Sequence, residues 1–139
     1  EFLEPKATEK QIKLLFAADY HDTMMVRADK EKIRTVFANL IDNSIKYGVE
    51  GGRTKISVYD MDENYLVEIS DNGVGIDEKH ISRLFERFYR VDKHRSRAQG
   101  GSGLGLAIVK HIIEAHNQTI NVRSAPGVGS TFSFTLQKV

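Results

Sequence analysis

The feature that most constrains this chain is a helical stretch, Val36 to Tyr47, whose polar side chains stand in unusual places. At about 100° per residue, one predicted buried arc of this helix consists of Ile33, Val36, Phe37, Leu40, Ile41 and Ser44. Asn39, Asn43 and Lys46 fall in a strip about 60° wide along one edge of that arc. Half-buried carboxamides and an ammonium are costly unless something polar fills the gap beside them. Amide oxygens suit Mg²⁺ and a lysine suits phosphate, although the stretch taken alone is better explained as a surface helix.

Two glycine-rich motifs follow this helix. In Asp71–Gly75, an aspartate and two glycines come directly after a predicted strand. Glycines let a backbone approach a ligand closely, and a carboxylate can accept a hydrogen bond from an exocyclic amine such as adenine N6. Gly101–Leu106 leads into a predicted helix, whose first N–H groups are suited to phosphate. Its spacing fits neither the dinucleotide fingerprint nor the P-loop, and a plain turn and a glycine-rich hinge remain open alternatives for the two motifs.

An aromatic and basic segment, Phe85–Arg90, lies between the two glycine motifs. Taken in order, the asparagine helix, the D-x-G-x-G turn, this segment and the G-x-G-L-G-L helix start resemble the four boxes of the histidine-kinase catalytic domain. That family belongs to the GHKL class of ATP-binding folds. The resemblance extends from about Lys10 to Leu136.

The resemblance implies a role for each matched residue. Asn43 would hold Mg²⁺, Asn39 and Lys46 the phosphates, and Arg90 the transferring γ-phosphate, so Asn39, Lys46 and Arg90 are the catalytic candidates. Asp71 would read adenine. The remaining nucleotide-binding positions that it implies are Tyr47, Gly73, Gly75, Ile76, Tyr89, Gly101, Gly103, Leu104, Gly105, Leu106 and Thr131. Two positions depart from the family pattern, because Ser44 replaces the usual alanine and Ser130 a common threonine; we expect neither to touch the nucleotide chemistry.

Apolar periodicity predicts an α+β fold with five or six strands and three helices. The predicted strands are 12–16, Met24–Arg27, Thr54–Met61, Tyr65–Ser70, Thr119–Arg123 and Ser130–Leu136; the helices follow Asp29, follow Asp77 towards Phe85, and span Leu104–Asn117. A mobile loop is predicted for Val91–Gly101, with Lys93, Arg95 and Arg97 either solvated or closing over a triphosphate. The resemblance implies the same architecture: a two-layer Bergerat-type sandwich with a mixed, mostly antiparallel sheet and three helices on one face.

Length and composition indicate one ordinary globular domain. The chain has 139 residues, a net charge of +1 and no cysteine, which gives no reason to expect nucleic acid, an anionic membrane or disulfides. We expect residues 10–139 to form the ATP-binding domain and 1–9 to be a linker from a dimerisation helix, with Glu1-Phe2 a cloning remnant. None of the five histidines has the context of the family's phosphoacceptor, so the acceptor domain is expected elsewhere. No apolar run approaches the length of a membrane span.

The resemblance implies a domain that binds ATP and Mg²⁺ and donates the γ-phosphoryl group to a histidine of a separate dimerisation domain. It further implies a homodimeric parent kinase, a response regulator downstream, a cytoplasmic location and a monomeric isolated domain. The alternatives are an anti-sigma-factor serine kinase, a nucleotide-binding module without transfer, and an ATPase of the gyrase, mismatch-repair or chaperone type. In those ATPases a glutamate lies four residues before the metal asparagine, at the position of Asn39.

Overall fold

The computed structural model describes residues 11–17, 25–91 and 103–139. The elements are β1 (Lys13–Ala17), α1 (Lys30–Lys46), β2 (Arg53–Met61), β3 (Asn64–Asp71), α2 (Glu78–Ile81), α3 (Gly105–Ala115), β4 (Ile120–Ala125) and β5 (Gly129–Gln137). The strands form one sheet in the order β1-β2-β3-β5-β4. Only the β1–β2 pair is parallel. The predicted α+β fold with a mixed, mostly antiparallel sheet is confirmed.

The sheet buries one face because its strands alternate apolar and polar residues in matching register. Ile56, Ile69 and Phe132 face one another across β2, β3 and β5, and Val67 and Phe134 continue the same face. All five are buried. This face forms the core with the apolar sides of the helices. The helices therefore cover a single face of the sheet, as predicted.

Helix α1 begins where its sequence predicts. The Asp29 carboxylate caps it by accepting a hydrogen bond from the Lys32 N–H at 3.1 Å. The predicted arc is buried, with Val36 and Leu40 fully excluded from solvent. Helix α3 packs against α1 through Val109 and Ile113 in the same core. These contacts place the start of α3 beside the polar edge of α1.

The local differences from prediction lie at short elements. The predicted strand Met24–Arg27 is wrong as far as it is described, because residues 25–27 contribute only one bridge, Val26 to Lys138, before the cap of α1 begins. The helix after Asp77 has only four residues. Tighter i→i−3 hydrogen bonds then carry the chain to Phe85 and beyond. The predicted linker 1–9 and all of the predicted loop after Val91 lie outside the described residues.

Candidate functional site

A row of polar side chains crosses the buried face of the sheet at one end of its strands. The row has one residue on each of β2, β3, β5 and β4, and these residues are successive cross-strand partners: Thr54, Asp71, Ser130 and Ser124. The next row inward on the same face is apolar. Because strand side chains alternate between faces, all four polar groups point towards the helices. The row forms a polar floor beneath α1.

Asp71 is the centre of this polar row. Its Oδ1 accepts hydrogen bonds from the N–H groups of Gly73 at 2.9 Å and Ser130 at 3.3 Å. Its Oδ2 accepts from the Ser44 hydroxyl at 3.0 Å, and that hydroxyl also lies 2.7 Å from the Thr54 hydroxyl. Ser44 and Ser130 both contact Asp71, although neither was expected to touch the nucleotide chemistry. The buried arc of α1 carries Ser44 directly onto the floor.

The electrostatic setting of Asp71 balances two effects. Burial raises the pKa of its carboxyl above the usual value, because the ionised form loses water. The hydrogen bonds from Gly73, Ser44 and Ser130 lower the pKa, but by less than burial raises it. A desolvated carboxylate with fixed donors is a directional acceptor, which suits recognition of an amine on a planar base.

The D-x-G-x-G turn is held against the rest of the site at three points. The Tyr47 carbonyl accepts a hydrogen bond from the Val74 N–H at 3.0 Å. A Cβ on Gly73 would overlap that carbonyl oxygen. The Ile76 N–H donates to the Ser124 hydroxyl at 2.7 Å, and the Ile76 side chain is buried. Gly75 has a φ of +76°, and a Cβ there would overlap the backbone of Ala125. Ile76 and Gly75 thus act through packing of the turn.

Asn39 joins the asparagine helix to the second glycine motif. Its Nδ2 donates to the Gly105 carbonyl at 3.3 Å. Gly105 opens helix α3, and the N-cap residue Leu104 offers no side-chain oxygen to the first N–H groups. Leu106, in the first turn, is partly buried against the core. The structure thus brings two motifs separated by more than sixty residues to one place.

Asn43 and Lys46 lie one and two turns beyond Asn39 on α1, at half-buried positions. The Lys46 ammonium forms an ion pair with the Asp42 carboxylate at 3.3 Å, which the sequence reasoning did not anticipate. Within the described part of the chain, the Asn43 side chain makes no hydrogen bond. That carboxamide can therefore take an external ligand without breaking a bond within the protein.

The aromatic and basic segment contacts the second glycine motif through its backbone. Phe88 has a φ of +65° and donates its N–H to the Gly103 carbonyl at 2.7 Å. A Cβ on Gly103 would lie 2.8 Å from the Phe88 Cα, so this approach requires glycine. Phe85 is partly buried and packs against the core, with its ring edge-on to Phe132. Phe88 is instead 68% exposed.

Two predicted site residues, Tyr89 and Thr131, make their side-chain contacts away from Asp71. The Tyr89 hydroxyl is hydrogen-bonded to His80, and its ring lies under the Arg83 guanidinium. Thr131 pairs with Ser70 at 2.9 Å on the opposite face of the sheet. The neighbouring residue Ser130 faces the floor in its place. Arg90 is half-buried at the end of the described segment, and Gly101 lies outside the described residues.

Sequence reasoning missed the hydroxyl groups that support Asp71. A signal was present, because Ser44 lies within the apolar arc of α1 and Thr54 alternates in phase with Ile56 on β2. A polar residue at a buried position of an amphipathic pattern needs a hydrogen-bond partner. The partner itself could not be read from the sequence, since Asp71 is 27 residues from Ser44.

Comparison with known proteins agrees with this geometry. Residues 28–139 match the family described as "Histidine kinase-, DNA gyrase B-, and HSP90-like ATPase". The sensor-like histidine kinase SenX3 of Mycobacterium tuberculosis is 46% identical over 118 residues, which cover 85% of this chain and 29% of that protein. The sensor histidine kinase WalK of Bacillus subtilis is 45% identical over 115 residues, which cover 81% of this chain and 19% of that protein. The chain thus spans less than a third of these relatives.

Solved structures give the same result at the level of the fold. The nucleotide-free catalytic domain of the histidine kinase ThkA superposes with a TM-score of 0.83 and 30% identity, covering 99% of this chain and 86% of that one. No helix among the described residues is long and apolar enough to cross a membrane. Four motifs in family order within this fold, together with these relatives, lead to one assignment. The chain belongs to the histidine kinase-, DNA gyrase B- and HSP90-like ATPase family, as a catalytic domain of the histidine-kinase type.

Proposed function

We propose that this domain binds Mg-ATP and transfers its γ-phosphoryl group to a histidine on a separate dimerisation domain, in two-component signalling. The observation that carries the proposal is that the asparagine helix, α1, is hydrogen-bonded both to Asp71 and to the start of α3. Ser44 links α1 to Asp71 on one side, and Asn39 links α1 to Gly105 on the other. A base acceptor and a phosphate-binding helix start thus flank the same helix.

Recognition of the base falls to Asp71 in this proposal. Its carboxylate is held by two backbone N–H groups and one hydroxyl, so the adenine amine would meet an acceptor that is already oriented. Tyr47 is half-buried at the end of α1, next to the turn that carries Gly73. Its ring is assigned to packing on the base.

Phosphate and metal binding fall to α1 and to the start of α3. A Cβ added to Gly105 would be at ordinary contact distance from Asn39, so the packing around Gly105 does not itself require a glycine. The glycine therefore leaves open space beside the start of α3. The N–H groups of the first turn of α3 can therefore approach phosphate oxygens. Asn43 would supply one oxygen to Mg²⁺, which generally takes its other ligands from phosphates and water. Lys46 and Arg90 would supply positive charge to the phosphates.

The chemistry asked of the protein is positioning and charge stabilisation. When phosphoryl transfer occurs, an imidazole nitrogen bonds to the γ-phosphorus as the bond to the bridging oxygen of ADP breaks, and the imidazole loses its proton. Asn39 has an amide, which cannot accept a proton at neutral pH, and it already donates to Gly105. Water is therefore left without a base at this position, which favours the kinase over the ATPase alternatives.

The kinase setting of relatives supports the proposed partners. One similar structure is that of full-length ShkA in complex with AMPPNP, with a TM-score of 0.82 and 26% identity. Another is that of ThkA in complex with the response regulator TrrA, with a TM-score of 0.78 and 29% identity. We extend both relations to this chain: an adenine nucleotide as ligand, a homodimeric parent kinase and a response regulator downstream. ATP supply places the domain on the cytoplasmic side.

Transfer in trans tests the function. The domain is incubated with labelled Mg-ATP, alone and with a dimeric helical domain that carries an acceptor histidine. We expect negligible phosphate release alone, and an acid-labile, alkali-stable label on the added domain. Steady hydrolysis by the isolated domain would support an ATPase, and an acid-stable product a serine kinase.

Asn43→Ala tests the metal role. It should abolish the Mg²⁺ dependence of nucleotide affinity and leave the fold intact, because a half-buried helical asparagine with no side-chain hydrogen bond to the described residues adds little stability. Calorimetric titration with and without Mg²⁺ measures this. Asn121→Ala, at an exposed strand position, is the control. Unchanged Mg²⁺ dependence in Asn43→Ala would remove the metal role.

A further inference from the structure

Ser44 is a buried hydroxyl on α1 that contacts the carboxylate assigned to adenine. Its side chain is 2% exposed, and that of Thr54 behind it is 1% exposed. Within the described part of the chain, Ser44 is the only residue whose side chain donates to Asp71. The other two donors are the backbone N–H groups of Gly73 and Ser130, which need no side chain to donate.

The direction of the hydrogen bonds in this cluster follows from the inventory of protons. An ionised Asp71 can only accept, so the single Ser44 proton must point at Asp71 Oδ2. The 2.7 Å contact between Ser44 and Thr54 must then use the Thr54 proton. Thr54 donates to Ser44 and Ser44 donates to Asp71, so the two hydroxyls form a relay of fixed polarity.

The same inventory locates the acceptor position that remains for a ligand. A carboxylate has about four lone-pair positions, two on each oxygen. Two are taken on Oδ1 by backbone N–H groups, and one is taken on Oδ2 by Ser44. Counting the donors of the described residues, the position left for a ligand is therefore on Oδ2, the oxygen that Ser44 contacts.

We infer that Ser44, supported by Thr54, is a positioning residue that sets the preference of this site for adenine over 6-oxopurines. Its hydroxyl keeps Asp71 Oδ2 presented as an acceptor and is itself committed as a donor to Asp71, so neither Ser44 nor the carboxylate offers a donor to a purine carbonyl. An amino group at position 6 is then matched, and an oxygen at that position meets a lone pair. The inference rests on the proposed function and deepens it.

The test compares ATP with ITP, which carries an oxygen in place of the adenine amine. Binding of each, with Mg²⁺, is measured by calorimetry for the parent chain and for Ser44→Ala, Thr54→Val and Ser70→Ala. Ser70→Ala is the matched control, because it also removes one hydroxyl of a Ser–Thr pair beside Asp71, but on the opposite face of the sheet. Thermal unfolding of each variant is recorded in parallel.

The preference for ATP over ITP should fall about tenfold in Ser44→Ala, in the range expected for loss of one hydrogen bond to a charged group. It should fall less in Thr54→Val and remain unchanged in Ser70→Ala. If the parent chain binds ATP and the ratio of ATP to ITP affinity in Ser44→Ala is within twofold of the parent ratio, the inference is overturned and the proposed function stands. Should Ser44→Ala not fold, an unchanged ratio in Thr54→Val would overturn it. A parent chain that binds neither nucleotide would overturn both.

Discussion

Gly75 provides a sharp test of why the D-x-G-x-G turn needs its second glycine. Gly75 and Gly127 both have a φ of +76°, so alanine at either position pays the same left-handed backbone penalty, about 1–2 kcal/mol. Their surroundings differ. A Cβ on Gly127 would meet nothing within 4 Å, whereas one on Gly75 would overlap the Ala125 carbonyl and lie 2.6 Å from its carbon and 2.9 Å from the Pro126 Cα.

The difference between the two variants isolates the packing effect. Relieving the overlap at Gly75 requires the turn or β4 to shift, at a further cost of about 1–3 kcal/mol, as for overpacking elsewhere. The free energy of unfolding should therefore fall by about 1–2 kcal/mol in Gly127→Ala and about 2–5 kcal/mol in Gly75→Ala. Denaturant titration at constant m-value measures both. Gly51→Ala, also at a φ of +76° with nothing within 4 Å, is a second control.

The outcome separates two explanations of the motif. If Gly75 serves the turn by packing, Gly75→Ala loses much more stability than Gly127→Ala. If Gly75 instead serves only to let a ligand approach, the two variants lose stability equally and Gly75→Ala alone loses nucleotide affinity. Equal shifts in the denaturation midpoint would therefore refute the packing explanation.

Three further predictions concern Asp71 and Phe85. Asp71→Asn should weaken ATP binding by about 10- to 100-fold and narrow the preference for ATP over ITP, because the amide presents a donor to the adenine amine; calorimetry with an unchanged preference would make Asp71 a turn residue only. Burial raises the pKa of Asp71, so ATP affinity should fall as the pH drops through that raised pKa and the carboxylate is protonated. The folding stability of the parent chain, relative to Asp71→Asn, should rise over the same pH range, because the folded state takes up the proton more readily than the unfolded state. Titrations in which affinity and stability change in the same direction would contradict this. Phe85→Ala should cost about 3–5 kcal/mol in unfolding free energy through loss of its packing on Phe132, and a cost below about 1 kcal/mol would show that the segment is peripheral.

Much of the site could be predicted because its residues lie in motifs with local physical meaning. Asp29 as a helix cap and the buried arc of α1 follow from spacing alone and are confirmed. Which of Ser130 and Thr131 faces Asp71 could not be predicted without the register of β5 against β3. A one-residue step along a strand moves a side chain to the other face, and the register places Ser130 beside Asp71. The predicted strand Met24–Arg27 is wrong as far as it is described, because its one bridge is made with Lys138, at the far end of the chain.

The sequence by itself determined the elements, the family and the identity of the groups that carry charge and amide oxygens, since periodicity and motif spacing are properties of neighbouring residues. The tertiary structure alone decided how those groups are supported. The bonds from Ser44 to Asp71 and from Asn39 to Gly105 span 27 and 66 residues. Hydrogen bonds act over about 3 Å, so only the packing of α1 on the sheet and on α3 determines which distant partners come within that range.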